Sequence, residues 1–334
     1  MKAVLCRQHG GPELLSVEDV PSPRAKAGEV VVAVHAAAVN FFDTLIIANK
    51  YQIKPALPFS PGGEVAGTVK AVGSGVTDFA PGDAVIAVCG SGGFAEEVAV
   101  IRNRVVHVQQ GVPMDAAAAM VLAYGTTHYG LRERGRLQPG ESLLVLGAAG
   151  GTGLSAVQIG KLMGARVIAA ASSPKKLALC REYGADATID YAREDLRESV
   201  RRLTEDKGVD VVYDPVGGAC TEAALRSMAW GGRLLVIGFA SGEIPRPPLN
   251  VPLLKGCSII GVYYGGFGEH EPTRHAALLK ELLHWLAEGR IRPAIMSRRP
   301  LEQASAALSD VAARRALGKI VLTTALGRGE TGTP

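Results

Sequence analysis

Three glycines, Gly147, Gly150 and Gly153, stand three residues apart at the end of a short apolar run and before a helical pattern. The run covers 143–146, and apolar residues recur at helical spacing over 154–163. Such a turn needs glycine because some backbone angles have positive φ and because a Cβ would keep the main chain away from a pyrophosphate at the helix N-terminus. The pattern favours a dinucleotide site, and a glycine-rich turn without a ligand is the alternative.

The end of the next strand pattern, 165–171, indicates which dinucleotide binds. An acidic residue there would hold the 2′-hydroxyl of NAD, but the chain continues with Ser172, Ser173, Lys175 and Lys176. Serine leaves room for a 2′-phosphate, and lysine supplies the opposite charge. These residues predict NADPH rather than NADH. A solvated helix start is the alternative, although basic residues in a first turn oppose the helix dipole.

The composition excludes several classes of protein. The 334 residues are enough for about two domains, and 47% of them are hydrophobic. The net charge of +4 is spread over short pieces without interleaved aromatic residues, which disfavours nucleic-acid binding. The five cysteines are scattered without a C-x-x-C pair, which disfavours a zinc knuckle or a disulfide framework. No apolar run approaches ~20 residues and no signal peptide is evident, so we expect a soluble, cytoplasmic protein that does not enter a membrane.

The pattern of predicted elements changes near residue 120. Before it, short strands at 29–34, 63–72, 83–88 and 95–100 predict a small β-barrel-like domain. After it, helices and strands alternate, which predicts a doubly wound parallel sheet. The predicted helices are 126–134, 154–163, 175–183, 195–204 and 220–228, and the strands are 142–146, 167–171, 187–190, 209–213 and 232–237. Helices at 273–288 and 301–313 and a strand at 319–323 follow, and we expect them to complete the first domain.

The order of these segments and several motifs resemble the medium-chain dehydrogenase/reductase superfamily, in its zinc-free NADPH:quinone oxidoreductase (ζ-crystallin-like) branch. The motifs are Ala36–Asp43, Tyr51, Pro58–Gly67, Ala71–Gly73, Gly82–Asp83 and Gly147–Gly153. The resemblance implies an α/β protein with a GroES-like β-barrel catalytic domain at 1–120, completed by 263–334, and an inserted Rossmann NADPH-binding domain at 121–262. Thr152 departs from the branch, where valine is usual.

Zinc alcohol dehydrogenases belong to the same superfamily, but their metal ligands are missing here. They carry a cysteine near the position of Phe41 and a Gly-His-Glu where this chain has Gly62-Gly63-Glu64. Their structural zinc lobe would follow Cys89, which is here followed directly by glycines and serine. A zinc site needs several converging Cys, His or carboxylate ligands, so we predict no metal.

Without a metal, the reaction must rely on placing the nicotinamide against an electron-poor acceptor such as a quinone or enone. The resemblance implies that Asn40 and Thr126 flank the nicotinamide end; an Asx-turn for Asn40 and a helix N-cap for Thr126 are the alternatives. It also implies that Tyr51 lines the cofactor cleft, where related enoyl thioester reductases use a tyrosine as hydrogen-bond donor or acid. A merely packed Tyr51 is the alternative. Asn40 and Tyr51 are therefore the predicted catalytic residues.

The resemblance assigns the remaining cofactor contacts. They are Ala149, Gly150, Gly151, Thr152 and Gly153 for the pyrophosphate; Ser172, Lys176 and Tyr191 for the 2′-phosphate; Phe239 and Ala240 for the nicotinamide ring; and Lys319, approaching the cofactor from the other domain. A surface aromatic at the strand end is the alternative for Tyr191. We expect Asp43 to cap the helix that starts beside it, and orientation of Asn40 is the alternative.

We thus expect an NADPH-dependent quinone oxidoreductase. An enoyl or enone reductase would share every cofactor residue, and a binding protein for NADPH-linked regulation or RNA, as among ζ-crystallin relatives, is the alternative of another class. A hydrolase is disfavoured because none of the seven histidines belongs to a nucleophile motif. The apolar strand pattern 257–264 at the sheet edge predicts a homodimer through the nucleotide-binding domain.

Overall fold

The computed structural model describes residues 1–329 and separates into two units. One unit consists of Met1–Leu122 together with the chain from Gly265 onward, and the other is Ala123–Tyr264. In the described part of the chain, every helix is too short or too polar to cross a membrane.

The strands and helices are numbered here in chain order. The strands are β1 Lys2–Cys6, β2 Leu15–Asp19, β3 Glu29–Val39, β4 Glu64–Val72, β5 Ala84–Val88, β6 Glu97–Ile101, β7 Val105–His107, β8 Ser142–Val145, β9 Arg166–Ala171, β10 Ala187–Asp190, β11 Val209–Asp214, β12 Met228–Val236, β13 Ser258–Gly261, β14 Ile295–Pro300 and β15 Lys319–Thr323. The helices are α1 Phe41–Ile47, α2 Met114–His128, α3 Gly151–Leu162, α4 Pro174–Glu182, α5 Leu196–Leu203, α6 Ala219–Arg226, α7 Asn250–Lys255, α8 Tyr264–His270, α9 Pro272–Ala287 and α10 Ala304–Ala312.

The first unit is built around β3, which pairs with β4, β6 and β15 in a seven-stranded sheet. Valines of β3 pack with Phe59 and Phe94 in its core. The strand β15 runs antiparallel to β3, with Ile320 opposite Val39. This register places the start of β15, at Lys319, beside the residue that follows β3, Asn40.

The second unit holds a six-stranded sheet in the order β10-β9-β8-β11-β12-β13, and every pairing in it is parallel. The central strand is fully buried over Leu143–Val145, as a parallel strand covered on both faces should be. All the strands end at one edge, so the segments after β8, β9, β10, β11 and β12 lie along that edge. The predicted α/β class, with one β-rich unit and one parallel-sheet unit, is confirmed.

Two predicted elements are present with bounds that differ from the prediction. The helix predicted at 126–134 begins as α2 at Met114 and continues as a π-helical turn over Tyr129–Arg134. Its first turns are apolar on all sides and buried from Ala117 to Val121, so they carry no amphipathic period. The strand predicted at 257–264 is only β13 Ser258–Gly261, because α8 begins at Tyr264.

Candidate functional site

A buried ion pair lies at the centre of the first unit. Lys319 and Glu64 are 4% and 0% exposed, and their Nζ and Oε1 atoms are 2.8 Å apart. Lys319 Nζ also donates to Asn40 Oδ1 at 2.7 Å and to the Val39 carbonyl at 3.3 Å. Because an ammonium has three protons, all of them are engaged inside this unit. Lys319, which is predicted to approach the cofactor, is thus held by Glu64 and Asn40 within this unit.

The amide of Asn40 is oriented by the same contacts. Its Nδ2 donates to Glu64 Oε1 at 2.7 Å and to the Ala38 carbonyl at 3.2 Å, while its Oδ1 accepts from Lys319. A carboxylate can only accept and an ammonium can only donate, so these partners fix which atom is oxygen and which is nitrogen. Both N–H donors of the side chain are used, so Asn40 can only accept a further hydrogen bond.

Glu64 was not predicted as a site residue. Its second oxygen, Oε2, accepts from the Leu122 amide at 2.5 Å, so the carboxylate joins three partners from distant parts of the chain: Leu122, Asn40 and Lys319. The signal in the sequence was an acidic residue at the start of a largely apolar strand pattern, since a buried charge needs partners.

Asp43 is fully buried beside this group. Its Oδ2 accepts from the backbone N–H of Asn40 at 2.8 Å, and its Oδ1 accepts from the backbone N–H of Gly62 at 3.3 Å. Asp43 therefore caps the start of α1, as expected. Burial raises the pKa of Asp43 to about 7, although the two amides and the charge of Lys319 oppose the shift. The carboxyl therefore titrates near neutral pH.

Tyr51 is half-buried and packs against Phe42, with ring centroids 5.5 Å apart. The Phe42 ring in turn covers Gly63, where an added Cβ would lie 2.2 Å from Phe42 Cζ. A side chain at position 63, where zinc-dependent relatives carry histidine, would therefore displace this ring. Within residues 1–329, no group of three or more His, Cys, Asp or Glu side chains is placed to hold a metal ion.

The glycine turn in the second unit has the predicted form. Gly147 has a φ of +57°, and a Cβ on Gly153 would lie 2.4 Å from the Gly147 carbonyl oxygen. The helix α3 begins at Gly151 with Gly150 as N-cap, and no side chain caps it. The amides of Gly151, Thr152 and Gly153 thus lack acceptors within the helix and, with the helix dipole, favour an anion.

The residues predicted for the 2′-phosphate meet at the end of β9. In the sheet Ala171 lies opposite Asp190, so the next residues, Ser172 and Tyr191, are neighbours. Lys176 Nζ donates to Ser172 Oγ at 3.2 Å, whereas Lys175 is exposed to solvent. The side chain of Lys176 thus turns back toward Ser172.

Phe239 and Ala240 follow β12 at the same sheet edge. The Ala240 amide donates to the Pro215 carbonyl at 3.0 Å, and Phe239 packs closely against Gly217. The loop below them is held by buried Asp214, which accepts from the amides of Val216 and Gly217 at 2.8 and 2.9 Å. Sequence reasoning missed Asp214.

The predicted residues therefore fall into two groups. The first unit brings together Asn40 and Lys319, while Tyr51 contacts Phe42. The second unit gathers the glycine turn, the Ser172 group and the Phe239 loop along one sheet edge. Thr126 is half-buried in the last turn of α2, so its N-cap alternative is wrong.

Known proteins match nearly the whole chain. Residues 26–110 match the family described as alcohol dehydrogenase GroES-like domain, and residues 151–282 match the family described as zinc-binding dehydrogenase. The quinone oxidoreductase-like protein 2 homolog of Nematostella vectensis is 39% identical, over 97% of this chain and 89% of that protein. A quinone oxidoreductase of Pseudomonas aeruginosa is 37% identical, over 96% of this chain and 99% of that protein. The crystal structure of Escherichia coli quinone oxidoreductase complexed with NADPH has a TM-score of 0.92 at 29% identity, over 97% of this chain and 100% of that chain.

Proposed function

The chain belongs to the quinone oxidoreductase-like branch of the medium-chain dehydrogenase/reductase family, and from this premise we propose that it reduces a quinone with NADPH and without a metal ion. The main observation in favour of NADPH over NADH is the contact between Lys176 and Ser172 at the end of β9. It puts an ammonium and a hydroxyl at the strand end where an NAD-specific protein carries an acid. The similar Escherichia coli structure contains NADPH.

The residues of the second unit would hold the cofactor from end to end. The amides of Gly151, Thr152 and Gly153 would bind the pyrophosphate, Ser172 and Lys176 with Tyr191 the 2′-phosphate, and Phe239 and Ala240 the ring. Thr126 would contact the nicotinamide end. When bound, NADPH supplies a hydride to the acceptor. The protein contributes orientation and a fixed environment, which is the larger part of catalysis when the acceptor is already electron-poor.

Asn40 would act as a hydrogen-bond acceptor toward the nicotinamide end, where ribose hydroxyls and the carboxamide N–H are the available donors. Its two N–H groups are committed to Glu64 and Ala38, so it does not donate to a quinone carbonyl. Glu64 and Lys319 would be its positioning residues. Of the two predicted catalytic side chains, Tyr51 is the one whose hydroxyl group would serve as a donor to an acceptor oxygen.

The proposal is tested by following NADPH oxidation with a panel of quinones, 2-alkenals and enoyl thioesters, with NADH in parallel. We expect quinone turnover, with NADPH preferred. Turnover of enoyl thioesters without quinones would establish the enoyl reductase alternative, which uses the same cofactor residues. Tight NADPH binding without turnover of any acceptor would favour a binding protein. Elemental analysis of protein purified without chelator should find zinc well below one ion per chain, and stoichiometric zinc would overturn the metal-free assignment.

We also propose that the protein works as a homodimer in the cytoplasm. Exposed apolar side chains lie on β12 and in or beside α7, the two elements that precede the edge strand β13: Trp230 is 80%, Leu249 77%, Leu253 79% and Leu254 71% exposed. Among the described residues, β13 pairs only with β12, so its other side has backbone groups available for a second copy. Antiparallel pairing of two β13 strands about a two-fold axis would cover this surface. All five cysteines are free, which suits a reducing compartment.

A further inference from the structure

Three buried hydroxyl groups meet beneath the glycine turn of the second unit. Thr127 lies on α2, Ser155 on α3 and Tyr213 on β11, and each residue is 0% exposed. Thr127 Oγ1 is 2.6 Å from Ser155 Oγ and 2.9 Å from Tyr213 OH. The three hydroxyls therefore join a helix, the helix that begins at the turn, and the neighbouring strand of the sheet.

This series of hydrogen-bonded hydroxyl groups ends on a backbone carbonyl of the turn itself. Ser155 Oγ is 2.7 Å from the Thr152 carbonyl oxygen and 3.0 Å from that of Ala123. Each hydroxyl has one proton, and donation from Tyr213 to Thr127, from Thr127 to Ser155, and from Ser155 to Thr152 satisfies all three. Burial raises the pKa of Tyr213, which keeps its phenol protonated as the first donor.

The carbonyl of Thr152 and the N–H of Gly153 belong to one planar peptide group. Anchoring the oxygen on one side consequently fixes the direction of the N–H on the other. Hydrogen bonds in series also polarise one another, so a carbonyl that accepts from such a chain makes its own N–H a stronger donor. Gly153 N–H is one of the first-turn amides of α3 that have no acceptor within the helix.

A purely structural need would not require these hydroxyls. Valine in place of Thr127 and phenylalanine in place of Tyr213 would fill nearly the same volume, and burying hydroxyls has a desolvation cost that apolar groups avoid. A serine bonded to a carbonyl three residues earlier is common in helices. Its further link through Thr127 to Tyr213 connects the turn to the sheet, in addition to the contact of Ser155 with Ala123 on α2.

We propose that Thr127, Ser155 and Tyr213 are positioning residues that orient the Thr152–Gly153 peptide toward the pyrophosphate of the cofactor. The proposal rests on the proposed function, because it needs NADPH to bind at this turn. Since Thr127 follows Thr126 directly, the same hydrogen bonds also hold the part of α2 that would contact the nicotinamide end.

The test compares binding of NADPH with binding of adenosine 2′-phosphate, which carries the 2′-phosphate but no pyrophosphate. We expect Thr127→Val and Tyr213→Phe each to raise the Kd for NADPH about 5- to 10-fold, the size of one lost hydrogen bond. The Kd for adenosine 2′-phosphate should be unchanged in both variants. Thr127→Ser keeps the hydroxyl and should restore NADPH binding. Calorimetry measures both ligands without any acceptor present.

Thr204→Val is the matched control. Thr204 is also buried in this unit, and its hydroxyl donates to the Val200 carbonyl and accepts from the Gly208 amide after α5. It should lower the melting temperature without changing the Kd for NADPH. Folded Thr127→Val and Tyr213→Phe proteins that bind NADPH within twofold of the wild type would overturn the proposal, as would equal losses for both ligands. A wild-type protein that does not bind NADPH at all would instead overturn the proposed function.

Discussion

Lys319 Nζ lies 2.8 Å from Glu64 Oε1 although 255 residues separate the two in the chain, and both side chains are almost completely buried. Their contact joins the first residue of β15 to the first residue of β4 and holds Asn40 between them. A buried pair of this kind adds little net stability, but removing one partner leaves an uncompensated charge. The arrangement is thus best understood as a fixed support for the Asn40 amide.

Removing one charge of this pair should cost more than removing both. We expect Lys319→Met alone to lower the free energy of unfolding by about 3 to 5 kcal/mol, because Glu64 would stay buried without a cation. The double variant with Glu64→Gln should recover much of that loss. Urea denaturation of the two single variants and the double variant, as a double-mutant cycle, measures the coupling. Additive losses would show that the two side chains do not depend on each other.

Asp43 should make stability fall as the pH rises toward neutrality. Its pKa is raised from 3.8 to about 7, so between these values the folded protein keeps a proton that the unfolded chain has released. Below pH 4 both states are protonated, and above pH 7 both are ionised. The stability that Asp43 contributes is therefore present at pH 4 and lost by about pH 7, by on the order of 2 to 4 kcal/mol.

The difference in unfolding free energy between the wild type and Asp43→Asn measures this effect from pH 4 to pH 8. Asparagine has no titrating group, so the variant should lack this part of the pH dependence. Parallel curves for the two proteins over the whole range would show that Asp43 is ionised throughout.

Lys176 should decide the preference for NADPH. A charge-assisted hydrogen bond contributes roughly 1.5 to 3 kcal/mol, so Lys176→Ala should weaken NADPH binding about 10- to 150-fold and leave NADH nearly unchanged. Lys175→Ala is the matched control, because it removes the same charge from the adjacent, exposed position. Equal losses for NADPH and NADH, or equal effects of the two substitutions, would contradict a 2′-phosphate contact at Lys176.

The homodimer proposal predicts a dimer in sedimentation at micromolar protein concentration. Leu253→Glu should shift the protein to monomers, because it places a charge in the exposed apolar surface beside β13. Ile101→Glu replaces an exposed apolar residue of the first unit and should leave the dimer intact. A wild-type monomer at this concentration would refute the proposal.

Local patterns made much of the second unit predictable. The glycine turn, the strands of the parallel sheet and the Ser172–Lys176 segment each lie within a few consecutive residues, so their signals can be read without knowing the fold. The apolar start of α2 was missed because a helix buried on all sides has no amphipathic period. The strand β14 was also missed, since Arg298 and Arg299 interrupt its apolar residues.

The partners of the predicted site residues could not be found in this way. Glu64 meets Lys319, and Thr127 meets Tyr213, only after sheets and helices bring distant segments together. No spacing in the sequence encodes these contacts. The sequence contains one indirect sign of such contacts: a charged or hydroxyl-bearing residue within a segment predicted to be buried needs a partner.

Tyr51 distinguishes the two enzymatic functions. A quinone carbonyl is activated by conjugation and can take its proton from water, so Tyr51→Phe should reduce quinone turnover only a few-fold at saturating NADPH. An enoyl substrate needs a hydrogen bond to its developing enolate, and loss of a positioned donor of that kind costs about 10²- to 10³-fold in kcat. The substitution keeps the ring that packs on Phe42, so the local fold should be preserved. Stopped-flow measurement of NADPH oxidation, with the NADPH Kd determined in parallel, separates an effect on chemistry from one on binding. A hundred-fold loss of kcat for the quinone at unchanged NADPH affinity would favour the enoyl reductase function over the quinone reductase function.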